Sequence, residues 1–332
     1  MRSNQFPNSK ECRQISYSRA PKVRSIAEAF SAGQIALNII PLILGLALAF
    51  SFGTSDFLSK GVTVKIGSYR TTIYVLALSG IGSLLPAVLL KSSFDVTPLF
   101  AGVMVLSAVA TFLAFALLYR AYRRGMLSLT SPIANAYPAF SVMISVAFLG
   151  VRFSTGAILA LVVIIVGIAL VSTSLSDLRK RVFTRHQPVA PGLGSAFLAA
   201  IFFGVSWTAF GYASEHLGYL LPSLAVRIGA TAVGLALIPV IKPEFSPPSG
   251  RWIPTILLMA VLETAGVVIF SLGVVVAPSP GTVPLLATFG GMAAAVTVAY
   301  AIVILKERLE INHIVGVISL VAGVVALLYL TA

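Results

Sequence analysis

Residues 252–276 read WIPTILLMAVLETAGVVIFSLGVVV, and Glu263 is the only charged residue in this stretch. A helix needs about 20 predominantly apolar residues to cross the hydrocarbon core of a bilayer. A strand of a membrane barrel would instead show about ten residues of alternating polarity, a pattern that this stretch lacks. The stretch therefore predicts a transmembrane helix with one carboxyl group near its middle.

The composition of the chain agrees with that prediction. Of the 332 residues, 58% are hydrophobic and 10% are charged, whereas about 25% are charged in an average soluble domain. So few charges cannot cover a soluble globule of this size, which excludes a soluble enzyme, a nucleic-acid-binding domain and a disordered protein. The net charge of +13 lies in the N-terminal residues and between apolar blocks, so we interpret it as a signal of membrane topology.

Nine further apolar blocks complete a set of ten predicted membrane helices. Numbered along the chain, the ten blocks are residues 38–58, 71–90, 97–119, 125–151, 153–176, 188–214, 220–241, 252–276, 277–305 and 313–330. Glycine, proline and clusters of charge separate these blocks. Residues 1–37 are polar and basic and predict a flexible tail, and residues 177–190 predict a basic linker.

The two halves of the chain repeat several features in the same order. Phe52-Gly53 in block 1 returns as Phe203-Gly204 in block 6, an arginine lies near the start of blocks 2 and 7, and blocks 4 and 9 both contain proline. Each copy has five helices, an odd number, so the second copy must enter the membrane with the opposite orientation. The predicted fold is an all-α membrane protein of ten transmembrane helices in two inverted repeats, residues 38–176 and 191–332.

Three of the stretches that mark the repeats also resemble family motifs. Residues 52–60 have an aromatic-glycine pair followed by a lysine, residues 121–132 form a loop into block 4, and Glu307-Arg308 closes block 9. These features resemble the drug/metabolite transporter superfamily, EamA type, although Val151 stands where that family usually has an acidic residue. The resemblance covers residues 38–332 and implies a ten-helix permease of two five-helix EamA-type repeats.

Glu263 is the strongest candidate for chemistry, because an ionisable side chain at bilayer depth is costly and is functional by default. It could exchange a coupled proton or balance the charge of a cationic substrate. It could also be structural, either as a protonated acid bonded across the bundle or as the partner of Arg227.

Four further charged residues are candidates for a gate or an ion pair. Asp56 and Lys60 are four residues apart and share a helix face, so they could form an interfacial ion pair or contact substrate. Arg70 and Arg227 lie at corresponding places near helix starts. They could reach the lipid headgroups or anchor an anionic substrate at a cavity mouth.

Helix breaks indicate where a substrate pathway would lie. Pro132 and Pro138 in block 4 and Pro284 in block 9 remove backbone donors in mid-membrane. Breaks at matching places in two repeats point to the binding site of a transporter.

Four residues near these breaks and on block 6 are candidates for the substrate pathway. Asn135, Tyr137 and Thr288 lie beside the prolines, and Trp207 could stack on an aromatic or cationic ligand. Asn135 and Trp207 could equally serve helix packing. We expect Asn135, Tyr137 and Trp207 to line one central cavity with Glu263, between the two halves.

The predicted function is secondary active transport, as an exporter, of a small polar or amphipathic metabolite such as an amino acid. Alternating access would move the solute, with proton coupling at Glu263. A multidrug exporter is the alternative among transporters. An intramembrane enzyme and a membrane scaffold are the alternatives outside transport. The chain has no H-E-x-x-H, G-x-S-x-G or Walker motif, so no catalysis, cofactor or metal is expected. The expected partners are a small-molecule substrate, the lipid bilayer and protons, without nucleic acid, for a monomer or homodimer in the cell membrane.

Two arguments about membrane orientation disagree. The loops that follow blocks 1, 3, 5, 7 and 9 hold fourteen lysines and arginines, and the loops on the other side hold far fewer. By the positive-inside rule this distribution places residues 177–190 in the cytoplasm. The family resemblance and the six basic residues of the tail favour cytoplasmic termini instead.

Overall fold

The structure of the chain is a computed structural model. It describes residues 34–89, 97–125, 127–150, 154–172, 192–218, 220–241, 248–276 and 289–305, together with residues 286, 311, 312, 314–316, 318, 319, 322, 323 and 326. Every regular element within these residues is helical, as the hydrocarbon interior of a membrane requires, since a helix satisfies its backbone hydrogen bonds internally. Residues 41–332 form one compact unit, and residues 1–40 form another, of which only the start of the first helix is described.

The described helices follow the apolar blocks along the chain. They are α1 (Gln34–Ile66), α2 (Ser68–Leu89), α3 (Pro98–Arg124), α4 (Leu127–Ala134), α5 (Tyr137–Leu149), α6 (Thr155–Ser172), α7 (Leu193–Leu217), α8 (Leu220–Ala236), α9 (Ile238–Ile241), α10 (Ile253–Val276) and α11 (Ala293–Leu305). A turn of 3-10 helix, Gly250–Trp252, directly precedes α10.

The prediction of ten membrane-spanning helices is confirmed in part. Within the described residues, the segments long and apolar enough to cross a membrane are Pro98–Arg124, Thr130–Phe148, Leu193–Leu217, Leu220–Ile241 and Gly250–Val276. They correspond to blocks 3, 4, 6, 7 and 8. Blocks 9 and 10 lie partly outside the described residues. The predicted linker lies wholly outside them, as does the predicted tail up to residue 33.

Helix ends follow backbone chemistry more than charge. The charge cluster after block 1 does not end α1, which continues through Lys60 and Lys65 to Ile66. The helix ends at Gly67, whose φ of +93° is a left-handed conformation that a residue without Cβ adopts at little cost. Thr97 begins α3, because its side chain accepts a hydrogen bond from the third helical N–H at 3.4 Å.

Block 4 forms two helices, α4 and α5, which meet at a break between its two prolines. α4 ends at Ala134 and α5 begins at Tyr137, so the break falls on Asn135 and Ala136. Pro132 lies inside α4, where it removes one helical hydrogen bond. The proline after Tyr137 lies in the first turn of α5, where a missing N–H has no helical partner to lose.

The two Phe-Gly pairs make equivalent close contacts. Gly53 on α1 packs against Val296 of α11, and Gly204 on α7 packs against Phe140 of α5. A methyl group added at either glycine would collide with its neighbour, so the missing side chains let the helices cross closely. The first helix of each repeat therefore approaches the other repeat at the position of its Phe-Gly pair.

A second pair of glycine contacts aligns α2 with α8. Gly82 on α2 meets Thr264 of α10, and Gly229 on α8 meets Ala108 of α3. These contacts are equivalent, since α3 and α10 are the third predicted helices of their repeats. The two glycines therefore occupy matching positions.

This alignment corrects the expected correspondence between Arg70 and Arg227. Arg227 lies two residues before Gly229, so its counterpart in the first repeat is Gly80, two residues before Gly82. Arg70 lies ten residues before Gly80, which is about 15 Å along a helix axis. Distance from the start of a helix therefore does not identify equivalent residues of the two repeats here. The contacts between helices identify them instead.

Candidate functional site

A buried ion pair joins α8 to α10. Arg227 Nη2 lies 3.1 Å from Glu263 Oε2, and the two side chains are 2% and 3% exposed. Removing two charges from water is expensive, and their mutual attraction often does no more than offset that penalty. The ion pair by itself is therefore weak evidence that these residues stabilise the fold. Of the alternatives given for Glu263 from the sequence, the structure shows the pairing with Arg227.

Glu263 binds only one of the two terminal nitrogens of the Arg227 guanidinium group. Its Nη1 atom is buried and has no hydrogen-bond partner among the described residues. The group lies 5.2 Å from the centre of the Phe115 ring, whose face attracts a cation. Because it is buried against α3 and α10, Arg227 does not extend to the lipid headgroups.

Arg227 also lines a small cavity. The lining residues are Thr111, Phe115, Phe203, Ser206, Trp207, Phe210, Val226, Arg227 and Val267. They come from α3 in the first repeat and from α7, α8 and α10 in the second. The cavity has about 20 Å³ of free space, which is room for a water molecule. Among the described residues, its walls are mostly aromatic, with one cation and two hydroxyl groups.

Trp207 is the centre of an aromatic cluster beside this cavity. Its ring centre lies 4.5 Å from that of Phe270, 5.5 Å from Phe52 and 5.6 Å from Phe210. Tyr137 stacks on it at 6.2 Å, with 20° between the ring planes. The break between α4 and α5 brings Tyr137 there, since it is the first residue of α5.

Asp56 and Asn135 form a separate buried polar cluster. Asn135 Nδ2 donates to Asp56 Oδ2 at 3.0 Å and to the carbonyl oxygen of Ser131 at 2.9 Å. Asn135 occupies the break between α4 and α5, so its amide both satisfies a helix carbonyl and reaches across to α1. The break thus determines the hydrogen bonding of the Asp56 carboxylate.

Lys60 binds the end of α3. Its Nζ donates to the carbonyl oxygens of Tyr122 at 2.5 Å and Gly125 at 2.6 Å. A cation is favoured there, because the last carbonyl groups of a helix carry partial negative charge. The hydrogen bonds of Asp56 and Lys60 described here therefore join them to different elements: Asp56 to Asn135, and Lys60 to the end of α3. None of these hydrogen bonds is part of the expected ion pair between the two residues.

Three buried hydroxyl groups near the two carboxylates form no hydrogen bond of good geometry with the described residues, although Tyr122 lies beside Asp56 and Ser55 beside Glu263. They are Ser55 Oγ, Tyr119 Oη and Tyr122 Oη. Tyr119 interacts electrostatically with both Asp56 and Glu263, so it connects the two clusters. Buried polar groups normally meet a protein partner or a water molecule. The region between the carboxylates is therefore rich in polar groups whose hydrogen bonding is incomplete.

The structure distributes the expected cavity residues over neighbouring sites. Trp207 lines the cavity, and Tyr137 stacks on Trp207. Glu263 is connected to the cavity by its ion pair with Arg227. Asn135 belongs to the Asp56 cluster. Arg70 is half-buried in the first turn of α2. The remaining candidates, Thr288 and Pro284, lie outside the described residues.

The aromatic residues of α3 were not identified from the sequence. Phe115, Tyr119 and Tyr122 recur at spacings of four and three residues, which places them on one helix face. An aromatic stripe of this kind usually serves packing. The contact of Phe115 with Arg227 and the interactions of Tyr119 with the two carboxylates show that this face borders the site.

Comparison with known proteins identifies the family. The sequence profile of the EamA-like transporter family matches residues 39–173 and again residues 190–329. The chain therefore belongs to the EamA-like transporter family, which confirms the resemblance, and it carries two copies of the EamA repeat. It is accordingly an integral multi-pass membrane protein of a family that transports small molecules.

Two individual proteins are similar to the chain. Uncharacterized protein MJ1333.1 of Methanocaldococcus jannaschii is 28% identical over 136 residues, which are 40% of this chain and 96% of that protein. That relative is thus about as long as one repeat. A solved crystal structure is 14% identical, with a TM-score of 0.62, and the match covers 89% of this chain and 96% of the other. The likeness to this structure shows the fold alone.

Proposed function

We propose that the protein is a secondary active transporter that carries a small amphipathic metabolite, such as an amino acid, by alternating access. The two repeats, inverted as the sequence predicts, would rock against each other and open the cavity to one side at a time. The cavity supports this proposal because both repeats contribute to its lining. Its free space of about 20 Å³ is too small for a metabolite, so binding requires the surrounding helices to separate.

The observation that carries the proposal is the Arg227–Glu263 ion pair at this cavity. Protonation of Glu263 would remove its charge and with it the attraction that holds α8 against α10 at this point. A ligand shifts a conformational equilibrium by interacting differently with the two states, and a proton on Glu263 would do so. We therefore propose that transport is coupled to protons at Glu263.

Multidrug export is a second candidate, and the aromatic lining is the observation that favours it. Flat cationic drugs stack well on aromatic rings such as Trp207. A cationic drug would also compete with a proton for a carboxylate, which would give drug–proton exchange. We prefer a metabolite, because Glu263 already has Arg227 as its counter-charge and a cationic drug would add a second positive charge.

Transport in proteoliposomes tests the proposal. Vesicles filled with a pH-sensitive dye receive a gradient of one solute at a time, from a panel of amino acids and the lipophilic cation tetraphenylphosphonium. We expect an amino acid to drive a change of internal pH, and Glu263→Gln to abolish that change because the amide cannot exchange a proton. Glu215→Gln, at an exposed acid near the end of α7, is the matched control and should retain the change.

Two outcomes would overturn parts of this proposal. A Glu263→Gln protein that moves protons with solute as the native protein does would refute coupling at this residue. Proton movement driven only by tetraphenylphosphonium would establish the drug exporter instead.

The proposed orientation places residues 177–190 in the cytoplasm, because the short loops on that side carry most of the basic residues. In a Cys12→Ser background, Thr184→Cys should react with a membrane-impermeant maleimide in opened cells and stay unlabelled in intact cells. Labelling in intact cells would place the linker outside and both termini in the cytoplasm.

A further inference from the structure

We infer that the cavity binds solutes that carry a single carboxylate group on an apolar body, with the carboxylate held by Arg227 Nη1. The inference rests on the proposed function and names the substrate class for it. Arg227 is the only charged residue in the cavity lining, and its Nη1 is buried without a hydrogen-bond partner among the described residues. A buried charged donor that is left unpaired is costly, so the site is complete only when an acceptor is present.

The charges around Arg227 select the charge of the ligand. Glu263 holds Nη2 at 3.1 Å, so the pair as it stands is close to neutral. A solute whose only charge is positive would face an unpaired guanidinium nitrogen and be repelled, whereas a zwitterionic amino acid still offers its carboxylate to that nitrogen. A doubly charged phosphate would place two negative charges beside Glu263 against one cation, whereas a carboxylate adds only one.

The remaining walls select the body of the ligand. Phe115, Phe203, Phe210 and Trp207 present aromatic surface, and Val226 and Val267 add aliphatic surface. The two hydroxyl groups in the lining bond to each other, with 2.5 Å between Thr111 Oγ1 and Ser206 Oγ. An apolar tail is therefore favoured over a sugar or another polyhydroxylated body, which would need more hydrogen-bond partners.

Carboxylate binding and protonation of Glu263 should favour each other. The charged and titratable groups around Glu263 are Arg227 on α8, Asp56 on α1, Tyr119 on α3 and Tyr137 on α5. Arg227 is the cation of this set, so a bound carboxylate leaves a net negative charge that a proton on Glu263 removes. Because linkage is reciprocal, the protonated site binds the carboxylate more tightly.

This linkage determines the direction of coupling. A proton and a monocarboxylate that bind together are carried together, so an inward proton gradient would drive uptake of the acid. Export of the metabolite, as expected from the sequence, would instead require that proton and solute exclude each other.

Tryptophan fluorescence provides a direct binding assay. The chain has two tryptophans, so Trp252→Phe leaves Trp207 in the cavity wall as the sole reporter. Purified protein is titrated with hexanoate, hexanamide, hexylamine and hexyl phosphate, which share one apolar body and differ in the head group. We expect hexanoate to give a saturable change and to bind about tenfold or more tightly than the other three, as a charge-assisted hydrogen bond implies.

Two variants in the Trp252→Phe background test the role of the pair. Glu263→Gln should tighten hexanoate binding by several-fold, because it removes the competing negative charge. Arg227→Lys should weaken it by about tenfold, because an ammonium group cannot present two nitrogens to two acceptors. Arg123→Lys, at an exposed residue of α3, is the matched control and should leave the affinity unchanged.

The inference is overturned if hexylamine or hexyl phosphate binds more tightly than hexanoate. It is also overturned if the Glu263→Gln variant elutes as a single folded species and binds hexanoate no more tightly than its Trp252→Phe parent. Its failure is distinguishable from that of the proposed function. Hexanoate binding without proton-coupled transport in vesicles refutes the proposed function alone, and coupled transport without hexanoate binding refutes this inference alone.

Discussion

The two repeats make the same helix contacts with different residues. Arg227 on α8 and Glu263 on α10 form an ion pair, whereas the equivalent positions of the first repeat hold Gly80 on α2 and Ser107 on α3. Ser107 donates instead to the carbonyl oxygen of Ser206 at 3.0 Å. The helix crossing therefore forms with small, uncharged residues as well as with the ion pair. The fold does not require the charges of the second repeat at this crossing. We therefore expect these charges to serve function.

The opposite asymmetry occurs in the first helix of each repeat. Aligning Phe52-Gly53 with Phe203-Gly204 places Asp56 opposite Trp207. The first repeat thus supplies a carboxylate that an amide binds, and the second supplies an aromatic wall of the cavity. Among the described residues, each repeat contributes one buried acid, Asp56 or Glu263, at positions that the internal symmetry does not relate.

The largest expected effect comes from breaking the ion pair. Arg227→Met leaves Glu263 buried without its cation and should lower the free energy of unfolding by about 3–5 kcal/mol. Denaturation of the purified protein in SDS measures the change. Arg70→Met, at the half-buried arginine of the first repeat, should cost less than about 1 kcal/mol.

A double variant tests whether the second repeat can form the helix crossing without charges, as the first repeat does. Arg227→Met with Glu263→Leu removes both charges and should recover most of the lost stability, since the crossing in the first repeat is uncharged. A double variant as unstable as Arg227→Met would show that the second repeat needs its pair for packing.

Gly53→Val and Gly204→Val test whether the halves are equivalent in packing. Each added side chain collides with a helix of the other repeat, so each should cost about 1–3 kcal/mol of unfolding free energy, in similar amounts. Gly194→Val is the control, because nothing lies near a Cβ at that position. A large effect in only one half would break the equivalence.

Asn135→Leu tests the hydrogen bond between Asn135 and Asp56. In the second repeat, the residue that aligns with Asp56 is Trp207, which has no carboxylate to bind. The substitution removes the donor to the buried Asp56 carboxylate and should cost about 1–2 kcal/mol in the same SDS assay. A double-mutant cycle with Asp56→Asn should show a coupling energy well above measurement error. Additive single effects would mean that the hydrogen bond contributes nothing to the fold.

The smallest expected effect concerns Lys60. Lys60→Met removes the cation at the end of α3 and should lower the unfolding free energy by about 0.5–1 kcal/mol. Lys60→Arg keeps a cation at this helix end and should restore most of that difference. An Arg variant as unstable as the Met variant would assign the effect to the fit of the side chain and not to its charge.

The class of the protein, its repeats and the rarity of its acids could be predicted from the amino-acid sequence alone. Long apolar runs such as residues 252–276 identify membrane helices because hydropathy is a local property of the chain. The paired Phe-Gly motifs and the broken fourth block were recognisable for the same reason. Glu263 stood out since a charge in such a run has no local explanation.

The partners of the charged residues, in contrast, depend on how the helices pack in three dimensions. The sequence left Glu263 with several alternatives, suggested a pair of Asp56 with Lys60, and matched Arg70 with Arg227. The structure pairs Glu263 with Arg227 and aligns Arg227 with Gly80. Each residue turns a helix by about 100°, so a side chain's neighbours depend on how its helix is rotated and where other helices cross it. Those quantities are set by packing along whole helices, and no single stretch of sequence contains them.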